Sequence, residues 1–285
     1  MDASGDCEIR HAFIFHSGLT MPHVTPSPLR LSIGILTKNE AALIGPCIES
    51  AAFADEVIVL DSGSTDNTLD IARGLGAKIF VSEDWQGFAV QRNRLLERVT
   101  GDYIFFLDAD EIVTPELRDE IKAIVDSRAT GIWKVRWTVV AYGHVLKHFK
   151  SDSNMERLFT RHLIDHYEGV VHEGAIIKSD TPVDRKVLRH RLLHHSRQSI
   201  RSSLEKLTQY AMLGAAKRHS AGQRGGIFRG FLSATGSFLK TYFLRGAIFD
   251  GGPGFLYCLF VALESFFRYV ALEYDRDKLN TFVGR

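Results

Sequence analysis

From Leu31 onward the chain alternates short apolar runs with segments of helical periodicity, which confines the fold to strand–helix units around a mostly parallel sheet. The spacing predicts strands over residues 31–36, 57–60, 78–81 and 103–107. Ile44, Cys47, Ile48, Ala51 and Ala52 recur at helical spacing, as do Leu69, Ala72 and Leu75, and residues 88–99 make a third helix. Thr114-Pro115-Glu116 opens a fourth with a capping hydroxyl, a proline at the first position and an acid near the positive end of the dipole. Residues 133–141 and 156–160 read as extended. The stretch from there to His195 is weakly periodic and rich in histidine, as loops over a site would be. Beyond Ser196 the chain turns helical and aromatic, with breaks at Gly225-Gly226 and Gly251-Gly252-Pro253-Gly254. The organisation expected is a loose leader over 1–28, an α/β domain over 29–196 and a helical region over 197–285. Met21 is a second candidate start.

The strand over 103–107 runs straight into Asp108-Ala109-Asp110. Residues i and i+2 of an extended segment share a face, so the two carboxylates would present four oxygens to one hard divalent cation. Mg²⁺ or Mn²⁺ suits such a site, with positions left for water and a diphosphate.

Ligands of open α/β sheets bind beyond the carboxyl ends of the strands, where the polar residues of this chain collect. Thr37-Lys38-Asn39-Glu40 follows the first strand and Asp61-Ser62-Gly63-Ser64-Thr65-Asp66 the second. A dinucleotide enzyme would need a glycine-rich loop after the first strand to admit a pyrophosphate. No glycine lies between Leu36 and Ile44, which excludes it. Phosphate charge must be met some other way, and a metal on Asp110 can do it.

These residues resemble the family 2 glycosyltransferases, inverting enzymes of the GT-A fold that use nucleotide-diphospho-sugars. The resemblance runs through Leu31-Ser32-Ile33-Gly34-Ile35-Leu36-Thr37-Lys38-Asn39-Glu40, Asp61-Ser62-Gly63-Ser64-Thr65-Asp66-Asn67-Thr68, Gln91-Arg92-Asn93 and Leu107-Asp108-Ala109-Asp110-Glu111. It implies that Thr37, Asn39, Glu40 and Asp61 line the base and ribose pocket, Arg92 lies near the phosphates, Asp108 approaches the ribose and Asp110 binds the metal. Inverting transfer needs a base for the acceptor hydroxyl. Asp165, Glu168 and Glu173 are the carboxylates available downstream, and Val171-His172-Glu173 looks like the Val-His-Glu signature of one branch of the family. Glu173 is therefore the expected base, with His172 orienting it or binding acceptor; a structural ion pair with Arg157 or Arg161 is the alternative. His194 is the expected further metal ligand. Without a Gln-x-x-Arg-Trp motif, addition of single sugars is expected.

Arg157-Leu158-Phe159, Leu193-His194, Glu205-Lys206-Leu207-Thr208-Gln209-Tyr210-Ala211 and Asp250-Gly251-Gly252-Pro253-Gly254-Phe255 are similar to the bacterial lipopolysaccharide-core β-1,4-glucosyltransferase group. That likeness implies glucose transfer from a UDP-sugar to the inner-core heptose of a glycolipid, at the cytoplasmic face of the inner membrane. Another cell-envelope glycan as acceptor, or a non-catalytic nucleotide-sugar-binding protein, stays open. A net charge of +1 gives no pull toward nucleic acid, and Cys7, Cys47 and Cys258 lack the spacing of a disulfide or zinc framework.

The helical region is expected to lie on the membrane without spanning it. On a wheel of about 100° per residue, Phe228, Phe231, Leu232, Phe238, Leu239, Tyr242 and Phe243 share one arc, while Arg229 and Lys240 lie opposite. The run over 255–272 is long enough to span, but Glu264 and Arg268 interrupt it and are expected to pair at i,i+4.

Overall fold

The computed structural model of the protein describes residues 30–169, 174–178 and 182–281. The expected leader over 1–28, His172 and Glu173 lie outside the described residues. The amino-terminal half alternates as read: β1 (Leu31–Thr37), α1 (Ile44–Ala51), β2 (Glu56–Asp61), α2 (Thr68–Gly74), β3 (Lys78–Val81), α3 (Phe88–Leu96) and β4 (Tyr103–Asp108). These strands lie in the order β3-β2-β1-β4, every pair parallel. The register sets Thr37 beside Asp61 and Leu36 beside Asp108, so the polar ends of three strands finish abreast.

Alternation along β4 explains its continuous apolar run. Phe105 and Leu107 pack with Ile33, Ile35, Leu117 and Ile121 on one face, while Ile104 and Phe106 pack with Ile58, Leu95 and Phe159 on the other. A strand buried on both faces needs no polar alternation. Gly34 in β1 is there for closeness: a Cβ at that position would lie 2.8 Å from Leu95 Cδ2. Its absence lets α3 sit tight on the sheet, which fixes the helix that carries Arg92.

The second half is β5 (Glu111–Val113), α4 (Pro115–Asp126), β6 (Ile132–Ala141), β7 (His144–Val145), β8 (Met155–Thr160), β9 (Ile164–Glu168), β10 (Gly174–Ile177) and β11 (Arg185–Arg197). Thr114 caps α4 as expected, its hydroxyl accepting from the Leu117 amide at 3.3 Å. The sheet continues from β4 through β8, β6 and β11 to β5. β8 runs antiparallel to both β4 and β6, because no crossover helix intervenes between β6 and β8 to restore direction. The expected α/β architecture of GT-A type is therefore a mixed sheet flanked by helices, parallel over β3-β2-β1-β4 and again between β6 and β11.

After Arg197 the chain is helical: α5 (Ile200–Ser220), α6 (Ile227–Leu239), a π turn over Lys240–Leu244 and α7 (Gly251–Tyr274). A reciprocal Ser199–Ser202 capping box starts α5. Glu264 is buried in α7, and its ion-pair partner is Arg197 at the end of β11, not Arg268 as the i,i+4 spacing predicts. Arg197 is itself buried and also donates to the Ser203 carbonyl at 3.3 Å. Two buried charges that meet satisfy each other, so the pair ties the helical region to the sheet.

The apolar arc also differs in part from the wheel. Phe228, Phe231, Leu232, Leu239 and Phe243 are exposed, as expected. Phe238 and Tyr242 stack at 5.1 Å and pack inward, because Phe255 of α7 meets both rings edge-on at 5.8 Å. Phe249, just before α7, adds a further ring to the exposed set at 72% exposure.

Candidate active site

The carboxyl ends of β1 and β2 form one wall. Asn39 has a positive φ of 54°, a conformation an asparagine tolerates better than most residues, and its side-chain oxygen accepts from the Thr65 amide at 2.7 Å. In return the Asn39 amide donates to Ser64 Oγ at 2.8 Å, the Glu40 amide to Thr68 Oγ1 at 2.8 Å and the Ala41 amide to Asp66 at 3.1 Å. Asp61, fully buried, accepts the amides of Gly63 at 2.9 Å and Ser64 at 2.8 Å, as well as the Ser64 hydroxyl. A carboxylate so placed holds its own loop in shape. Thr37 is buried beside it, and its hydroxyl lacks a hydrogen-bond partner among the described residues.

At the end of β4 the two aspartates separate. The strand stops at Asp108, and Ala109 and Asp110 form a turn, so the shared face expected of i and i+2 in a strand does not continue to Asp110. Asp108 turns to arginines: Arg157 reaches one oxygen at 2.6 Å and Arg92 the other at 3.3 Å. The expectation that both carboxylates address one cation is corrected accordingly. Packing disfavours charge on Asp108, but Arg157 and then Arg92 outweigh it and hold its carboxyl well below the usual carboxylate range. Arg157 also bonds Glu111 at 2.8 Å, and Glu111 accepts the Asp108 amide at 2.9 Å. Burial pushes the Glu111 carboxyl up, with Arg157 opposing. Arg92 lies 5.5 Å from the centroid of Phe106 and 5.9 Å from that of Tyr167.

Asp110 faces a different set. His194 of β11 brings Nε2 to 3.4 Å from Asp110 Oδ2, and Lys206 of α5 brings Nζ to 3.8 Å from the same oxygen. The ladder explains the first contact: His194 pairs with Glu111 across β11 and β5, and the His195 amide donates to the Asp110 carbonyl at 2.8 Å. Burial works against the His194 imidazolium, but the Asp110 carboxylate more than offsets it and raises the group above its ordinary value. Glu40 stands across from them, its carboxyl raised by burial and then by the charge of Asp110, with Gln198 at 3.5 Å.

Thr37, Asn39, Glu40, Asp61, Arg92, Asp108, Asp110 and His194 thus gather around the carboxyl ends of β1, β2 and β4. Glu111, Arg157, Lys206 and Gln198 join them without having been read as site residues. Arg157 and Lys206 each stood inside a motif of the sequence, which was the signal available. Asp165 and Glu168, both exposed, flank His166, which meets them at 2.9 and 3.0 Å.

Among the described residues no group of three His, Cys, Asp or Glu side chains converges on a point. Asp110 and His194 are two donors side by side, a number that suits Mg²⁺ or Mn²⁺, which take one or two protein ligands and complete their shell with phosphate and water.

Residues 32–169, which contain every one of these loops, match the model of glycosyl transferase family 2. The chain carries a family 2 glycosyltransferase domain. It is 29% identical over 270 residues to an uncharacterized glycosyltransferase of Rickettsia felis, covering 90% of this chain and 94% of that protein. It is 28% identical over 264 residues to the lipopolysaccharide core biosynthesis glycosyltransferase LpsC of Rhizobium meliloti, covering 88% and 94%. Both alignments extend the likeness of the glycosyltransferase domain into the helical region. Solved structures are matched over less. Staphylococcus aureus TarS is 23% identical with a TM-score of 0.39, and the match covers 47% of this chain and 29% of that one. Glucosyl-3-phosphoglycerate synthase of Mycobacterium tuberculosis, crystallised with Mn²⁺, UDP and glucosyl-3-phosphoglycerate, is 25% identical with a TM-score of 0.37, covering 48% and 58%.

Proposed function

We propose that the glycosyltransferase domain moves a hexose, glucose foremost, from a UDP-sugar to a lipid-linked acceptor such as the inner-core heptose of lipopolysaccharide, with inversion at the anomeric carbon. The observation that carries this reading is the convergence of Asp110, His194 and Lys206 beside the laced loops of β1 and β2. The acceptor class draws its support from LpsC, whose likeness spans both halves of the chain.

In this reading Thr37, Asn39, Glu40 and Asp61 shape the wall against which the base and ribose lie. Asp108, held in place by Arg157, accepts from the ribose, and Arg92 stands toward the phosphates. Asp110 and His194 would hold a Mg²⁺ or Mn²⁺ ion, which supplies neutralisation of the negative charge that develops on the leaving diphosphate. His172 and Glu173 take the acceptor side, with Glu173 removing the hydroxyl proton. The test is a panel of nucleotide-sugars scored for release of the nucleoside diphosphate. UDP-glucose should turn over with Mn²⁺ or Mg²⁺ and stop with EDTA; equal turnover under chelation, or none with any sugar, sinks the reading.

The membrane surface is the second partner we propose, with the enzyme peripheral on the cytoplasmic face. Support comes from the exposed ridge of α6, where Phe228 is 73% and Phe231 61% exposed, far more apolar surface than a soluble helix leaves bare. A cavity of about 340 Å³ bordered by Arg224, Arg229 and Leu232 adjoins it and offers positive charge to anionic headgroups. Residues 247–274 are long and apolar enough to cross a membrane, but Glu264 is buried against Arg197, a protein-facing arrangement. Wild-type protein should float with anionic liposomes, and a triple variant Phe228→Ser, Phe231→Ser, Phe249→Ser should stay at the bottom. Equal behaviour of the two removes the ridge from the membrane.

A further inference from the structure

We infer that Lys206 of α5 is a second cation of the donor site, binding the diphosphate of the nucleotide beside the metal ligands. The inference rests on Asp110 and the adjoining loops being the donor site, as proposed above.

The position of Lys206 is built. α5 starts from the Ser199–Ser202 capping box directly after Arg197, whose guanidinium is locked by Glu264 and by the Ser203 carbonyl. Ser203 and Leu207 are buried on the same stretch of helix, so the backbone under Lys206 does not drift. The Lys206 ammonium donates to the Ser196 carbonyl at 3.1 Å and approaches Asp110 Oδ2 only to 3.8 Å, too long for a hydrogen bond. An ammonium carries three donors. One is used by Ser196, and the side chain is 28% exposed, which leaves the others room for a ligand.

Charge balance points the same way. Arg157 and Arg92 are engaged with Asp108, and the first loop has no glycine cradle of amides for phosphate. On the Asp110 side the ammonium within reach is that of Lys206, beside the His194 imidazole. A divalent ion bound to Asp110 would sit within a few ångströms of the Lys206 ammonium, and like charges at that range repel. A diphosphate between them converts the repulsion into two attractions.

This predicts opposite signs for two bindings. Removing the ammonium should tighten the binding of metal alone and loosen the binding of nucleoside diphosphate. A residue that merely props α5 would move both the same way or neither.

The experiment is calorimetry on the full chain with Mn²⁺ alone and with UDP in the presence of Mn²⁺, for wild type, Lys206→Met and Lys206→Arg. Loss of one charged hydrogen bond to phosphate is worth about 10-fold or more in affinity. Lys206→Met should bind UDP about 10-fold more weakly and Mn²⁺ alone more tightly, and Lys206→Arg should stay near wild type in both. If wild type binds UDP with Mn²⁺ and Lys206→Met binds it within twofold, Lys206 is not a diphosphate ligand. Parallel weakening of UDP and of Mn²⁺ alone in Lys206→Met gives it a structural role instead and also overturns the inference. If wild type binds none of UDP, GDP, ADP or CDP with Mn²⁺, the donor-site reading itself fails, and the inference falls with it.

Discussion

Replacing Asp110 by alanine is expected to abolish sugar transfer, with a fall of ~10³-fold or more, because several kcal/mol of transition-state charge stabilisation are lost together. The structure sharpens why this aspartate and not its neighbour has that effect. Asp108 has both carboxylate oxygens taken by arginines, whereas Asp110 faces a histidine at 3.4 Å and a lysine at 3.8 Å, neither close enough to consume it. The substitution also leaves the Lys206 ammonium without the carboxylate it faces, so its charge repels a divalent ion. UDP affinity measured with and without Mn²⁺ should then coincide for the variant and differ for wild type. The backbone of Asp110 keeps its bond to the His195 amide, so the melting temperature should change little. Wild-type turnover by Asp110→Ala would remove this residue from the chemistry altogether.

The contrast between the two aspartates shows what a sequence can and cannot say about such a site. Their spacing was legible, and so was the strand that delivers them, because Tyr103 to Leu107 is apolar without interruption. The direction of each carboxylate was not. It depends on where the strand stops, and on an arginine 49 positions away in β8 that enters beside Asp108. Arg157 is the largest fully buried side chain, and its role is set by tertiary pairing that no local periodicity reports. β11 is weakly periodic in sequence for a related reason. Arg185, Lys186, Arg189, His190 and Arg191 break the apolar alternation, while Leu188 and Leu192 alone keep the core contact. A strand whose outer face is this charged imitates a loop in composition.

The first two loops were more readable, since their polar residues bond one another across a single pair of strands. Asn39 to Thr65 and Glu40 to Thr68 are contacts between neighbouring turns, and turn chemistry is local. The helical region fell between these cases. Its amphipathic period predicted the exposed ridge, but Glu264 found its partner in β11 and not one turn along its own helix. A buried carboxylate takes the guanidinium that can be buried with it, and the exposed spacing rule of helices does not govern there.

Glu173→Gln is expected to lower transfer by about 100-fold or more while leaving UDP affinity near that of wild type, the range for loss of a positioned general base. The amide keeps the shape of the side chain and cannot accept the acceptor's proton. β9 and β10 pair antiparallel, Gly174 opposite Glu168, with a register shift between Ile176 and Ile177, and β9 is fastened to α3 where the Asn93 side chain donates to the Tyr167 carbonyl at 3.0 Å and accepts its amide at 2.6 Å. Asn93 is the neighbour of Arg92, which itself reaches Asp108. β9 is therefore anchored to the helix that carries Arg92. Asp165 and Glu168, in contrast, flank His166 on a solvent-exposed strand, and their charges raise that imidazole above its ordinary value. Steady-state rates over pH for wild type, Glu173→Gln, Asp165→Asn and Glu168→Gln separate the three. Only the Glu173 variant should lose the ascending limb of the profile, because only there does the group that must be ionised disappear. A profile that keeps its ascending limb in Glu173→Gln and loses it in either of the others transfers the base to that residue.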